Sequence, residues 1–206
     1  MWTFISHFLH LIFLPFSQST AQAFNFTSSF YNSVATYFLY ITSKRFEISE
    51  NFTYYSRWTN DNFSSALATL WLAFSSTFWN LSISTNTHTL DALLLSIILY
   101  LSSRNDLKWS IYSVSFVSGL LVTNNPYQLN ILLPTIFYFA QTQTSQSYIQ
   151  NVMNVTKMAL SFIIGLSPLA LLMILHSGKP FSWGSLTTIS SLKSYLFESD
   201  YGTLRR

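Results

Sequence analysis

Two long runs without a charged side chain constrain this chain more than any other feature of its sequence. Residues 62–90 and 109–156 contain no Asp, Glu, Lys or Arg. Charged residues make up 8% of the whole chain, against about 25% in a typical soluble domain. A charged side chain at mid-bilayer costs roughly 2.5–3.5 kcal/mol even on lenient insertion scales, so membrane segments select such runs. We therefore predict an integral membrane protein, all helical, with several transmembrane spans.

The remaining composition excludes several classes of function. The net charge of +3 is small and no basic patch with interleaved aromatic residues is present, so we expect no nucleic-acid partner. The chain has no cysteine, which excludes disulfides and thiolate metal sites. The sequence also lacks a Gly-rich phosphate loop, a metal-spaced His cluster and a nucleophile elbow. The expected partner is the lipid bilayer, and the sequence predicts no cofactor and no metal.

The gaps between charges predict where the helices cross the membrane. Lys44 and Arg45 end the first span, and a polar connector at residues 46–61 leads to the second. Pro126 separates two later spans, because proline disfavours helical geometry at the residue before it. Pro168 is able to kink the last span, since neighbouring helices can satisfy the freed carbonyl. The prediction is a polytopic membrane helical bundle of about six spans, at residues 24–42, 64–83, 89–103, 109–123, 127–141 and 158–175.

The N-terminal residues 1–23 are predicted to form a separate element. Residues 1–16 are apolar but lack the basic region of a signal peptide, although cleavage stays open as an alternative. Pro15 ends any helix at about sixteen residues, where a span needs about twenty. We therefore expect an interfacial or re-entrant helix, with His7 and His10 on one face. A transmembrane bundle at residues 24–175 and a juxtamembrane segment at 176–206 complete the single membrane domain.

The positions of Lys and Arg predict which span ends face the cytosol. When successive loops alternate between the two sides, six positive residues fall on one side, and the opposite loops, 79–88 and 124–128, contain none. The predicted cytosolic set is Lys44, Arg45, Arg57, Arg104, Lys108 and Lys157. Residues 176–206 then face the lumen, although their own four Lys and Arg run against the rule.

A few polar side chains near the outer ends of the spans are candidates for chemistry. Asp91 is the acid nearest a span interior, and His88, three residues earlier, lies on the same helical face. Such a pair is suited to acid/base work, or it forms an ordinary interfacial hydrogen bond. Asn86, Asn124 and Asn125 place amides at the outer ends of spans, where they either cap helices or line a polar cavity.

Four stretches along the chain follow one another in a recognisable order. They are LPFSQSTAQAFNFTSSFYNSVATYFLY, TFWNLSISTNTHTLDALLLSIILYLSSR, VSGLLVTNNPYQLNILLP and the ending from WGSLTT to DYGT. Their order and spacing resemble the polytopic protein O-mannosyltransferase family with the GT-C membrane fold. Eukaryotic members of that family mannosylate receptor ectodomains of the plexin type. The resemblance covers nearly the whole chain.

The chain also departs from the family pattern. Asn86 stands where the family has Glu, His88 where it has Tyr, Asp91 where it has Asn, Ser185 where it has Asp and Glu198 where it has Arg. The family's first span and its long first lumenal loop, which carries the catalytic Asp, have no counterpart. We therefore expect an N-terminally incomplete or degenerate member that is inactive on its own.

The resemblance implies transfer of mannose from a lipid-phosphate donor to Ser or Thr of a protein acceptor at the endoplasmic reticulum membrane. This reaction needs a carboxylate base and a cation that stabilises the leaving phosphate. Asp91 and His88 are the catalytic candidates, and the substrate-binding candidates are Asn86, Asn124, Lys179, Trp183, Lys193 and Tyr201. The alternative for Lys179 and Lys193, which the residues themselves favour, is anchoring at lipid headgroups. The alternative is a non-enzymatic polytopic protein, either a transporter fragment or an accessory subunit of a membrane complex.

Overall fold

A computed structural model of the protein describes residues 2–49, 61–84, 87–104, 109–125, 128 and 148–176. Within these segments the backbone forms helices and short connections and no strand, which confirms the all-helical prediction for this part of the chain. The helices are α1 Trp2–Phe13, α2 Thr20–Ser49, α3 Asp61–Ala73, α4 Ser76–Ile83, α5 His88–Ser102, α6 Ser110–Asn124, α7 Tyr148–Gly165 and α8 Ser167–His176.

The first two helices form an antiparallel hairpin. Helix α1 ends two residues before Pro15, as predicted, and a single turn of 3-10 helix leads towards α2. The Ser6 and Tyr31 hydroxyls are hydrogen-bonded at 3.2 Å, and the His10 ring stacks on Phe24 with centroids 4.3 Å apart. Ser6 and His10 are both buried. Helix α1 is therefore a short helix packed along α2, and its position relative to a membrane stays a prediction.

Helix α2 is longer than the span predicted at residues 24–42. It continues through Lys44 and Arg45, which were predicted to end it, and reaches Ser49. Lys and Arg are good helix formers, so a pair of charges limits the apolar length without ending the helix itself.

The span predicted at residues 64–83 is broken. Helices α3 and α4 are bent by 61° at a short break. Ser75 caps α4, because its Oγ accepts from the Phe78 N–H at 3.4 Å. Asn32 Nδ2 on α2 donates to Phe78 O at 3.2 Å, and Ser29 Oγ donates to Ser82 O at 2.7 Å. These two bonds hold α4 against α2.

Helices α2, α5 and α6 enclose the hydrophobic core. Asn124 at the end of α6 contacts Thr87 just before α5, while Ser110 at the start of α6 donates to Leu101 O. Helices α5 and α6 are therefore antiparallel, and they lie within one residue of the spans predicted at 89–103 and 109–123. The buried core residues are Tyr31, Leu90, Leu94, Ile98, Val114, Val117, Leu121 and Val122.

Helices α6 and α7 run parallel and cross at two glycines. Tyr112 OH donates to Asn154 Oδ1 at 3.0 Å near the start of both helices, and Gly119 meets Gly165 further along. A Cβ added to Gly119 would lie 2.9 Å from the Gly165 Cα and closer still to the Phe162 carbonyl oxygen. Each glycine follows a serine four residues earlier, which is the small-xxx-small spacing of close helix pairs in membranes.

The final helices begin earlier than the span predicted at residues 158–175. Helix α7 starts at Tyr148, and a one-residue break at Leu166 separates it from α8. Pro168 lies in the first turn of α8, where its missing N–H leaves no intrahelical bond unmade. The predicted effect of Pro168 is therefore seen as a break at Leu166, two residues before the proline.

By length and apolar composition, one helical stretch in the described part is able to cross a membrane. It is Val152–Leu171, and a second exists if Phe63–Ala73 and Ser76–Ile83 count as one bent span. The prediction of about six spans is therefore not confirmed. Helices α5 and α6 have 15 residues each, or about 22 Å, against a hydrocarbon core of about 30 Å. The span predicted at 127–141 lies outside the described residues.

The described positive residues gather at one end of the bundle. Arg45 and Arg104 both contact Tyr100, near the C-terminal ends of α2 and α5. Lys44 precedes Arg45, and Lys157 lies about one turn after the α7 residue that contacts the start of α6. We call this the basic end. At the opposite end, which we call the amide end, α5 begins and α6 terminates, and none of the described Lys and Arg residues lies there.

Candidate functional site

Asp91 lies in the first turn of α5 at the amide end. A carboxylate is favoured there because the free N–H groups of a helix start carry a partial positive charge. The side chain is only 7% exposed. A buried carboxylate is costly unless donors satisfy its oxygens, so its partners determine whether the arrangement is stable.

Amide groups from α6 supply donors to both carboxylate oxygens. Asn124 Nδ2 donates to Asp91 Oδ1 at 2.7 Å, and Asn125 Nδ2 donates to Oδ2 at 3.1 Å. His88 Nδ1 lies 3.2 Å from the same Oδ2. Asn124 Nδ2 also donates to Thr87 O at 3.2 Å, just before α5. We call Asp91, His88, Asn124 and Asn125 the Asp91 cluster.

The local sequence explains why the two amides are available to Asp91. Pro126 disfavours helical geometry at Asn125, so α6 ends at Asn124. Asn125 is extended, with φ −147° and ψ 102°, and its N–H still closes the helix by donating to Leu121 O at 2.9 Å. Two consecutive asparagines at this end therefore bring their amides to the carboxylate on the neighbouring helix.

The two titratable members of the cluster differ sharply in exposure. The His88 side chain is 57% exposed, whereas that of Asp91 is 7% exposed. A ligand arriving at the amide end meets the imidazole first, and the carboxylate lies behind it. When His88 Nδ1 carries the proton shared with Asp91, its Nε2 is an acceptor. Within the described segments no three His, Cys, Asp or Glu side chains gather to hold a metal.

The structure brings together three of the catalytic and substrate-binding candidates named from the sequence: Asp91, His88 and Asn124. The amide of Asn124 reaches the carboxylate as well as a backbone carbonyl, so its use goes beyond capping a helix. Asn125 is a member of the cluster that the sequence placed only among the outer amides. The sequence feature that could have identified Asn125 is Asn-Asn-Pro at the end of a helix. The other substrate-binding candidates lie outside the described residues, namely Asn86, Lys179, Trp183, Lys193 and Tyr201.

Comparison with known proteins gives the chain a family. The family model described as Protein O-mannosyl-transferase TMEM260 N-terminal domain matches residues 1–148. A Dictyostelium discoideum protein named Protein O-mannosyl-transferase tmem260 is 22% identical over an alignment of 224 residues, which covers 100% of this chain and 26% of that relative. The chain thus spans about a quarter of the length of this curated relative. No solved structure matches it. Because the family model covers well over half of the residues, the chain belongs to the protein O-mannosyl-transferase TMEM260 N-terminal domain family.

Proposed function

We propose that the chain is a membrane-embedded part of a glycosyltransferase that transfers mannose from a lipid-phosphate donor to Ser or Thr of a protein acceptor. The observation that carries this proposal is the family match over residues 1–148. The name of the Dictyostelium discoideum relative likewise describes a protein O-mannosyl-transferase, and the lipid-phosphate donor is part of the proposal. The non-enzymatic alternative is not favoured by either match.

The proposed setting is a multi-pass bundle of the GT-C type in the endoplasmic reticulum membrane. Three features of the described helices support it. One stretch is long and apolar enough to span, α6 and α7 meet through glycines as membrane helices do, and the described Lys and Arg residues share one end. In this orientation the basic end faces the cytosol and the amide end faces the lumen.

The Asp91 cluster is proposed to lie at the acceptor side of the reaction. The acceptor oxygen attacks C1 of the mannosyl group, the bond from C1 to the phosphate oxygen breaks, and the lipid phosphate leaves with the electron pair. The hydroxyl proton passes to the imidazole of His88, whose side chain is 57% exposed. Asp91 holds the Nδ1 ring nitrogen, and Asn124 and Asn125 hold Asp91, so these three are positioning residues.

The remaining sequence candidates keep proposed roles. Lys179 and Lys193 supply positive charge to the leaving phosphate. Asn86, Trp183 and Tyr201 contact the sugar or the acceptor. A plexin-type receptor domain is the acceptor class that the family resemblance suggests.

Membranes that contain the full-length protein test the proposal directly. They are given lipid-phosphate-linked mannose and a Ser/Thr-containing protein domain, and transfer is followed by mass spectrometry of the acceptor. His88→Gln is expected to lower kcat by about 10²-fold or more, the usual contribution of a general base, with little change in KM. His7→Gln, an exposed histidine on α1, is the matched control.

The possible outcomes separate the function from the role of the site. No mannose transfer by the unmodified protein would overturn the proposed function. Transfer that is equal in the His88 and His7 variants would leave the function standing and remove the Asp91 cluster from the reaction.

A further inference from the structure

Two guanidinium groups gather on one aromatic ring at the basic end. The Arg45 Cζ lies 5.0 Å from the centroid of the Tyr100 ring. Arg104 Nη1 donates to the Tyr100 hydroxyl at 3.4 Å. Phe38 packs against the same ring, with centroids 5.3 Å apart. Tyr100 therefore contacts one cation from α2 and another from just beyond the end of α5.

We call Tyr100, Arg45 and Arg104 the Tyr100 cluster. All three side chains are half-buried. Guanidinium groups match phosphate oxygens in geometry, and each has several N–H donors, so two of them at one ring suit an anion with several oxygens.

Exposed apolar side chains precede two of these aromatic residues in the chain. Tyr37 is 60% exposed and directly precedes Phe38 on α2, and Leu99 is 40% exposed and directly precedes Tyr100 on α5. A ligand that fits both parts has an anionic head for the cations and an apolar tail for the exposed faces.

We propose that the Tyr100 cluster binds the phosphate of an anionic phospholipid, with the acyl chain along Tyr37 and Leu99. Basic pockets between helices on the cytosolic side are a known form of lipid recognition. The inference rests on the membrane setting under the proposed function and not on the transferase chemistry.

Thermal unfolding of the purified protein in detergent tests this binding. The unfolding midpoint is followed while phosphatidylglycerol or phosphatidylcholine is added. We expect a saturable rise in the midpoint with phosphatidylglycerol, at lipid concentrations well below those at which phosphatidylcholine acts. The double variant R45Q/R104Q is expected to weaken this preference by roughly 10- to 30-fold, because two cations near a headgroup are lost. Lys157→Gln removes an exposed cation on α7 and is the matched control.

Each outcome bears on the proposal. Equal effects of the two lipids on the unmodified protein would overturn it, even if the double variant fails to fold. A preference that survives in R45Q/R104Q would place the lipid elsewhere and overturn it too. The same rise with inorganic phosphate would show a site for a free anion and not for a lipid. R45K/R104K keeps both charges and is expected to retain most of the preference. None of these measurements depends on mannose transfer.

Discussion

Asp91 is the residue on which the junction of α5 and α6 depends. Asp91→Ala removes the acceptor that both Asn124 and Asn125 use. Removing a buried hydrogen-bonding partner costs about 1–3 kcal/mol, so we expect the free energy of unfolding in detergent to fall by about 2 kcal/mol. Asp91→Asn keeps the size and one acceptor oxygen and should cost less. Chemical denaturation followed by circular dichroism measures the difference.

The control for this prediction is His88→Ala at the exposed member of the cluster. Its expected effect on stability is smaller, about 0.5–1.5 kcal/mol for one hydrogen bond, because Asn125 still donates to Asp91 Oδ2. An Asp91→Ala variant as stable as the His88 variant would mean that the hydrogen bonds contribute nothing to the junction.

The sequence was informative about Asp91 for a physical reason. This chain has few charges, and a charged side chain near an apolar membrane segment costs free energy. An acid in such a place is therefore easy to identify as a candidate. The sequence did not predict that His88 is exposed and Asp91 is buried, since both depend on how α6 packs over α5. The role of Asn125 required the extended backbone imposed by Pro126 and the antiparallel placement of two helix ends.

At the scale of elements, the crossing of α6 and α7 depends on the absence of two side chains. Gly119→Ala puts a methyl group against the Gly165 backbone and the Phe162 carbonyl oxygen, none of which is a flexible side chain that can turn away. The helices have to separate, and overpacking of this kind costs about 1–3 kcal/mol. We expect a lower unfolding midpoint in detergent. Ala159→Met on the exposed face of α7 is the control, and a Gly119 variant as stable as this control would contradict the close crossing.

The limits of individual elements followed from the sequence where charges bracket an apolar run. Arg104 and the charges after it fixed the boundary between α5 and α6 to within one residue. The break between α3 and α4 was missed because neither proline nor glycine marks it. Ser75 makes the break by capping α4, and Asn32 stabilises it from α2, a contact between residues far apart in the chain. A helix break that is stabilised by a tertiary contact of this kind has no local sequence pattern from which it could be predicted.

At the scale of the whole molecule, the grouping of the described Lys44, Arg45 and Arg104 was predictable and the number of spans was not. A count of alternating loops placed these three residues at one end. The length of the helices does not determine the number of spans in the same way. Helices α5 and α6 follow their predicted limits but have only 15 residues each. Whether such helices cross a bilayer depends on tilt and on local bilayer thickness, which sequence hydropathy does not encode.

The orientation of α5 decides between a spanning bundle and a helical pair that lies on one side of the membrane. The chain has no cysteine, so a single introduced cysteine reports its own position. Trp109→Cys lies at the basic end and Thr87→Cys at the amide end, and both sites are exposed. Because Lys and Arg favour the cytosolic side, we expect a membrane-impermeant maleimide to label Trp109→Cys in sealed microsomes and Thr87→Cys only after permeabilisation. Labelling of both sites from outside would show that α5 does not cross. The reverse pattern would show that it crosses with the Asp91 cluster facing the cytosol, where lumenal mannose transfer is impossible.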